Sequence, residues 1–148
     1  MKAEFTIPGE PQGKGRPRFS KRGGFVQTYT PTKTKSYEEL VASEYIRQCG
    51  NITADSNDGI HMEITACFGV PKSTSKVNRL RMLMNLIHPL KKPDIDNIIK
   101  VIADALNGIA YKDDKQITRI FAEKIYSDTS CVKVKITSIN SGGVTSIK

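Results

Sequence analysis

Two aspartates separated by one residue, Asp94 and Asp96, open the segment Lys92-Pro-Asp-Ile-Asp-Asn-Ile-Ile-Lys-Val-Ile-Ala-Asp-Ala-Leu-Asn-Gly108. Carboxylates at i and i+2 of a helix start can point into one small volume, where like charges need a counter-charge. A hard divalent cation supplies it, and Mg²⁺ is commonly held by one or two carboxylates with water and phosphate oxygens. The plainer use of the same residues is structural, since Asp is a favoured N-cap. Lys100 lies one turn after Asp96, where it either pairs with Asp96 or Asp104 at helical spacing or faces an anion. Asp113 and Asp114 follow just before an apolar strand. They serve a turn, or Asp114 becomes a third ligand if that strand lies beside the helix.

The elements that must position these groups are legible from periodicity. At ~100° per residue, Ile95, Ile98, Ile99, Ile102, Leu106 and Ile109 fall within an arc of roughly 100°. Asp96, Asn97, Lys100, Asp104 and Asn107 fall on another. The pattern predicts a helix from Ile95 to Asn107, stopped by Gly108 and anchored through its isoleucines. Strict alternation predicts a strand over Ile60–Val70. Shorter strands are predicted over Ala3–Ile7, Gln116–Tyr126 and Cys131–Ile139, and a hairpin over Phe19–Thr30 turning at Gly23-Gly24. Ser36 with Glu39 matches a capping box, which predicts a helix from there to Gly50. Ser73–Leu86 reads as helical, though its apolar residues are poorly phased. Glycines and prolines keep Gly9–Arg18 irregular. The expected fold is α+β (mixed α/β): a small mixed sheet with helices on one face. The 148 residues are expected to form a single domain, with about 140–148 as a flexible tail.

Charge is unevenly distributed within a net +8. Residues 1–35 carry eight Lys/Arg against two Glu, and residues 72–92 carry six Lys/Arg and no acid. The stretches between and after them, 36–71 and 93–128, are net acidic. A basic balance in discrete segments suits a phosphate-bearing partner or general solubility. Arg16, Arg18, Lys76, Arg79 and Arg81 are the candidate contacts to the phosphates of such a partner. Phe19, Phe25 and Tyr29 lie among these basic residues and are expected mainly to pack in the hairpin. No stretch approaches a membrane span and no apolar leader opens the chain, so a cytoplasmic protein without membrane contact is expected. Cys49, Cys67 and Cys131 have neither disulfide-framework nor zinc spacing. Gly9-x-x-x-Gly13-Lys14 is one residue short of a phosphate-binding P-loop and lacks its Ser/Thr, so no nucleotide cofactor is expected.

Pro93-Asp-Ile-Asp-Asn-Ile-Ile-Lys100, Asp104-Ala-Leu-Asn-Gly108 and Asp113-Asp-Lys-Gln-Ile117 together resemble the signature of the RusA-type crossover (Holliday) junction endodeoxyribonucleases. The resemblance is dense from Lys92 to Ile117, and the Ser73–Pro89 segment looks longer than in the shortest members. It implies metal binding by Asp94, Asp96 and Asp114, with Lys100 as the catalytic lysine. It further implies a homodimer that binds four-way branched DNA and cuts two strands symmetrically with Mg²⁺ or Mn²⁺. Phosphodiester hydrolysis at a carboxylate-held metal agrees with the chemistry of these residues. The competing expectations are a non-catalytic branched-DNA-binding module and an enzyme acting on a small phosphorylated molecule. The spread of basic charge over two segments disfavours the last.

Overall fold

The structure is a computed structural model that describes residues 1–29 and 31–139, with the side chains of Arg18, Ser20 and Arg22 outside the description. The expected tail at 140–148 therefore lies outside the described residues. Four strands form the main sheet in the order β1-β6-β4-β5, from Lys2–Pro8 (β1), Gly59–Gly69 (β4), Ile117–Ser127 (β5) and Cys131–Ile139 (β6). β6 runs antiparallel to both β1 and β4, whereas β4 and β5 are parallel. A parallel pair needs a long crossover, and here it carries helices α2 (Lys76–Leu83) and α3 (Ile95–Ala105). Arg18–Arg22 (β2) and Phe25–Tyr29 (β3) form a separate two-stranded hairpin, and helix α1 spans Thr32–Cys49. The mixed α+β class is as expected.

Alternation decides which face of the sheet is covered. Phe5 lies opposite Val134, and Val134 lies opposite Ile64, all buried on one face. Ala3, Ile136 and Met62 form the next such row. Tyr37, Val41 and Tyr45 of α1, together with Ile98, Val101, Ile102 and Ala105 of α3, close over that face. The Tyr45 ring meets Phe5 edge-on at 5.3 Å between centroids. Each fully buried aliphatic side chain of this kind contributes about 1.5–3 kcal/mol. The opposite face carries Glu4, Glu63, Lys133 and Lys135 and is open to solvent.

Several boundaries differ from the expectation, each for a local reason. α1 begins at Thr32 after Pro31, so Ser36 and Glu39 lie inside it and make no capping box. Proline's fixed φ is compatible with a helix start, and the Thr34 hydroxyl is already engaged by the Gly15 N–H at 2.9 Å. A capping box does exist, between Asp113 and Gln116 of a short 3-10 turn that precedes β5. α2 is shorter than Ser73–Leu86 because Ser75 caps it, accepting from the Asn78 N–H at 3.3 Å. The hairpin turns at Gly23 and Gly24, whose φ values of +58° and +84° favour residues without a Cβ. Its aromatics do not pack as expected: Phe19 and Phe25 are 73% and 74% exposed. Cys67 and Cys131, far apart in sequence, lie directly opposite each other on β4 and β6 as free thiols.

Candidate active site

α3 is the element on which the candidate residues ride. Its buried stripe runs from Val101 and Ala105 through Ile98 and Ile102, while Ile95 at its exposed first turn stays 39% accessible. That stripe anchors the helix and leaves Asp96, Asn97 and Lys100 exposed. Asp94 is the N-cap residue, yet its side chain accepts no capping hydrogen bond. Its carboxylate is thus not consumed by the structural use open to an aspartate at this position. Both acids lie at the helix N-terminus, where backbone dipoles favour negative charge.

Asp113 and Asp114 have separate fates. Asp113 accepts the Lys115 N–H at 2.9 Å, and this bond holds its carboxyl below the usual range. Gln116 completes the cap through its Oε1, which accepts from the N–H groups of Lys112 and Asp113 at 3.0 and 3.1 Å. Its amide donates to the carbonyls of Asp55 and Asp58, tying this turn to the loop before β4. Asp114 begins the 3-10 turn and is half-buried. The Lys124 ammonium, well along β5, donates to the Lys91 carbonyl just ahead of α3 at 2.6 Å. β5 therefore runs opposite to α3, and Asp114 lies toward the C-terminal end of that helix, beyond its rise of about 16 Å. Tyr111 links that end: its hydroxyl donates to the Ala103 carbonyl at 2.6 Å, and burial, with Asp114 and Asp104 nearby, pushes its pKa well up.

Within one chain, then, Asp94 and Asp96 stand together and Asp114 stands with the other end of the helix. Among the described residues, no three His, Cys, Asp or Glu side chains gather into a group that could hold a metal. The Asp94–Asp96 pair fits the one or two carboxylates that a magnesium ion commonly takes from protein. The trio expected from the sequence is not assembled around one point.

Lys100 points along the helix rather than toward its start. Its ammonium lies 3.1 Å from Asp104 Oδ1, while Lys14 lies 3.3 Å from Oδ2 of the same carboxylate. Lys14 also pairs with Glu38 of α1 at 2.6 Å. Burial works to lower the Lys14 pKa, but its hydrogen bonds to Glu38 and Asp104 overcome this and raise it. The Lys14 N–H donates to the Asn97 carbonyl at 2.9 Å, which pins the Gly9–Pro17 segment across α3. Lys14 and Gln116 were missed by sequence reasoning. The glycines flanking Lys14 were the available signal, since a Cβ at Gly13 would stand 2.9 Å from the Asn97 and Pro93 side chains.

The remaining expected contacts are dispersed. Arg16 lies beside Lys92 and Asp94 along a surface cavity. Arg18 lies in β2, and its side chain is outside the described residues. Lys76, Arg79 and Arg81 are exposed on α2, with Arg79 paired to Asp128. No helix among the described residues is long and apolar enough to cross a membrane.

Residues 8–137 match the family model described as endodeoxyribonuclease RusA. The chain belongs to the RusA endodeoxyribonuclease family. That family is one of DNA-cleaving enzymes, and the match spans both ends of α3 and the whole crossover between β4 and β5. A Bacillus subtilis (strain 168) relative described as uncharacterized protein YqaN is 37% identical over 142 residues, covering 93% of this chain and 96% of the relative.

Proposed function

We propose that this RusA-family protein is a metal-dependent, structure-selective endodeoxyribonuclease that resolves four-way DNA junctions by paired symmetric cuts. The observation that carries this reading is the Asp94–Asp96 pair: two exposed carboxylates at a helix start, one of them at the N-cap yet making no cap bond. Acids kept free beside the basic residues Lys92 and Arg16 serve no purpose in a surface that only attracts phosphate. Asp94 and Asp96 would hold Mg²⁺ or Mn²⁺; Asp114, at the other end of α3 in the same chain, would complete the set only from the second protomer of a homodimer. When bound, such an ion neutralises phosphate charge and activates water for phosphodiester hydrolysis. Lys100 stabilises negative charge on the scissile phosphate. Two cuts placed symmetrically on a four-way junction suit a two-fold homodimer.

A second reading, a non-catalytic branched-DNA-binding module, is favoured by one observation: the three carboxylates are not gathered in a single chain. A nicking assay on synthetic four-way junctions, with linear duplex of the same sequence as control, separates the two. The nuclease reading expects paired nicks in the junction with Mg²⁺ or Mn²⁺ and none with EDTA. Tight junction binding with no nicks under any metal would leave the binding module.

A further inference from the structure

A trough adjoins the Asp94–Asp96 pair, and its lining is not explained by the residues discussed so far. A cavity of about 580 Å³ lies between the Gly13–Pro17 strap and the start of α1, and Lys33, Arg16 and Lys92 supply its charged groups. A second cavity of about 440 Å³ shares Gly13, Gly15, Arg16 and Lys92 with it and continues to Asp94. The two form one path from Lys33 to the candidate metal pair. Among the described residues, none of these three cations is in an ion pair with a carboxylate. The fourth cation lining the trough, Lys14, is spent on Glu38 and Asp104.

The walls have a reason to be where they are. Gly13 is pressed against Pro93 and Asn97, and a Cβ at Gly15 would meet the Thr34 hydroxyl at 2.7 Å. The strap is therefore seated against the N-terminal turns of both α1 and α3. A concave surface with several cations and a carboxylate only at its end focuses positive potential. It suits a run of phosphodiesters better than a single small anion, because its charge is spread along a line.

We infer that this trough seats the DNA strand flanking the cleaved bond, with Lys33 and Lys92 joining Arg16 as phosphate contacts; the inference rests on the nuclease reading above. Such contacts place the strand and carry no sequence information.

The test is junction binding in EDTA, where nothing is cut, measured by fluorescence anisotropy across a salt series. Lys33→Ala/Lys92→Ala should make the slope of log K against log salt shallower by about two units for each protomer that engages the junction, one per lysine. Lys2→Ala/Lys133→Ala removes the same charge from the solvent-exposed side of the sheet and should change the slope by less than about half a unit. Both lysine pairs are exposed, so circular dichroism should be unchanged; if alanine disturbs it, Lys33→Gln/Lys92→Gln replaces that variant. Single methylphosphonates walked along one junction arm should weaken wild-type binding at a short run of positions. The Lys33→Ala/Lys92→Ala protein should lose nothing further at those positions. Equal slope changes for the two pairs, or an unchanged methylphosphonate footprint, would overturn the inference. Absence of cutting by the wild type in Mg²⁺ and Mn²⁺ would instead overturn the nuclease reading, and the EDTA binding result would stand apart from it.

Discussion

Helices α2 and α3 lie in the same crossover and both carry residues assigned to DNA, but they are held in opposite ways. α3 buries Ile98, Val101, Ile102, Ala103 and Ala105, so the angular position of its polar face is set by the core. α2 buries nothing, and Val77, Leu80 and Met84 are each 60% exposed. Its placement rests on the Ser75 cap, the Arg79–Asp128 pair and its approach to β5. The difference teaches what each kind of contact demands. Chemistry at a phosphorus atom needs groups held within a fraction of an ångström, which only a packed element delivers. Attraction to a charged backbone tolerates a loosely placed helix, because it depends on charge more than on angle.

The comparison can be broken most severely at the carboxylates. Asp94→Asn, Asp96→Asn and Asp114→Asn should each abolish junction cutting in Mg²⁺ while leaving binding intact or tighter, since shape is kept and repulsion toward phosphate falls. Wild-type-like nicking by any one of them would remove that residue from the site. Packing gives the next contrast. Ile102→Ala should cost about 2–5 kcal/mol in urea unfolding, whereas Leu80→Ala on α2 should stay within about 0.5 kcal/mol. Equal losses would mean that α2 is anchored after all.

Lys100 sharpens the comparison within α3. Lys100→Ala should lower single-turnover cutting on the order of 10²-fold. Its pairing with Asp104 is a surface contact worth about 0.3–0.5 kcal/mol, so the melting temperature should barely move. A variant that melts early yet keeps its specific activity would make the Lys14–Asp104–Lys100 chain of contacts purely structural. The smallest effects belong to α2, the strap and the start of β2. Alanine at Lys76, Arg81, Arg16 or Arg18 should flatten the salt dependence of junction binding by about one unit each per protomer engaged. Arg79→Ala should do less, because the free protein already pairs that guanidinium with Asp128. A change in sequence preference without a change in slope would show base readout at that residue instead.

Much of this was legible from residue order alone. Period-two alternation over 60–70 and 131–139, and the apolar arc of 95–107, depend only on which neighbours along the chain are apolar. The turn at Gly23-Gly24 follows from conformations that disfavour a Cβ, whereas α3 ends at Ala105 with Leu106 as its C-cap, short of the expected Asn107, and Gly108, with φ of +79°, lies in the turn beyond it. The start of α1 was misread because a capping box is a local pattern that competes with other partners. Pro31 starts α1 at Thr32, which leaves Ser36 and Glu39 inside the helix, and the working box formed at Asp113 and Gln116.

By itself, the sequence determined the mixed α+β class, the helix that carries Asp94, Asp96 and Lys100, and the family to which that run of residues points. These rest on short-range periodicity and on residue types, which a linear chain carries in full. Tertiary structure alone decided that β5 runs opposite to α3, which sends Asp114 to the far end of that helix from Asp94. It alone decided that Lys14 crosses to Glu38 and Asp104, that Cys67 faces Cys131, and that Lys33 and Lys92 line one trough. Each of these joins residues distant in the chain. Their meeting depends on strand direction and on which faces the core covers, and neither is recorded in the spacing of any single segment.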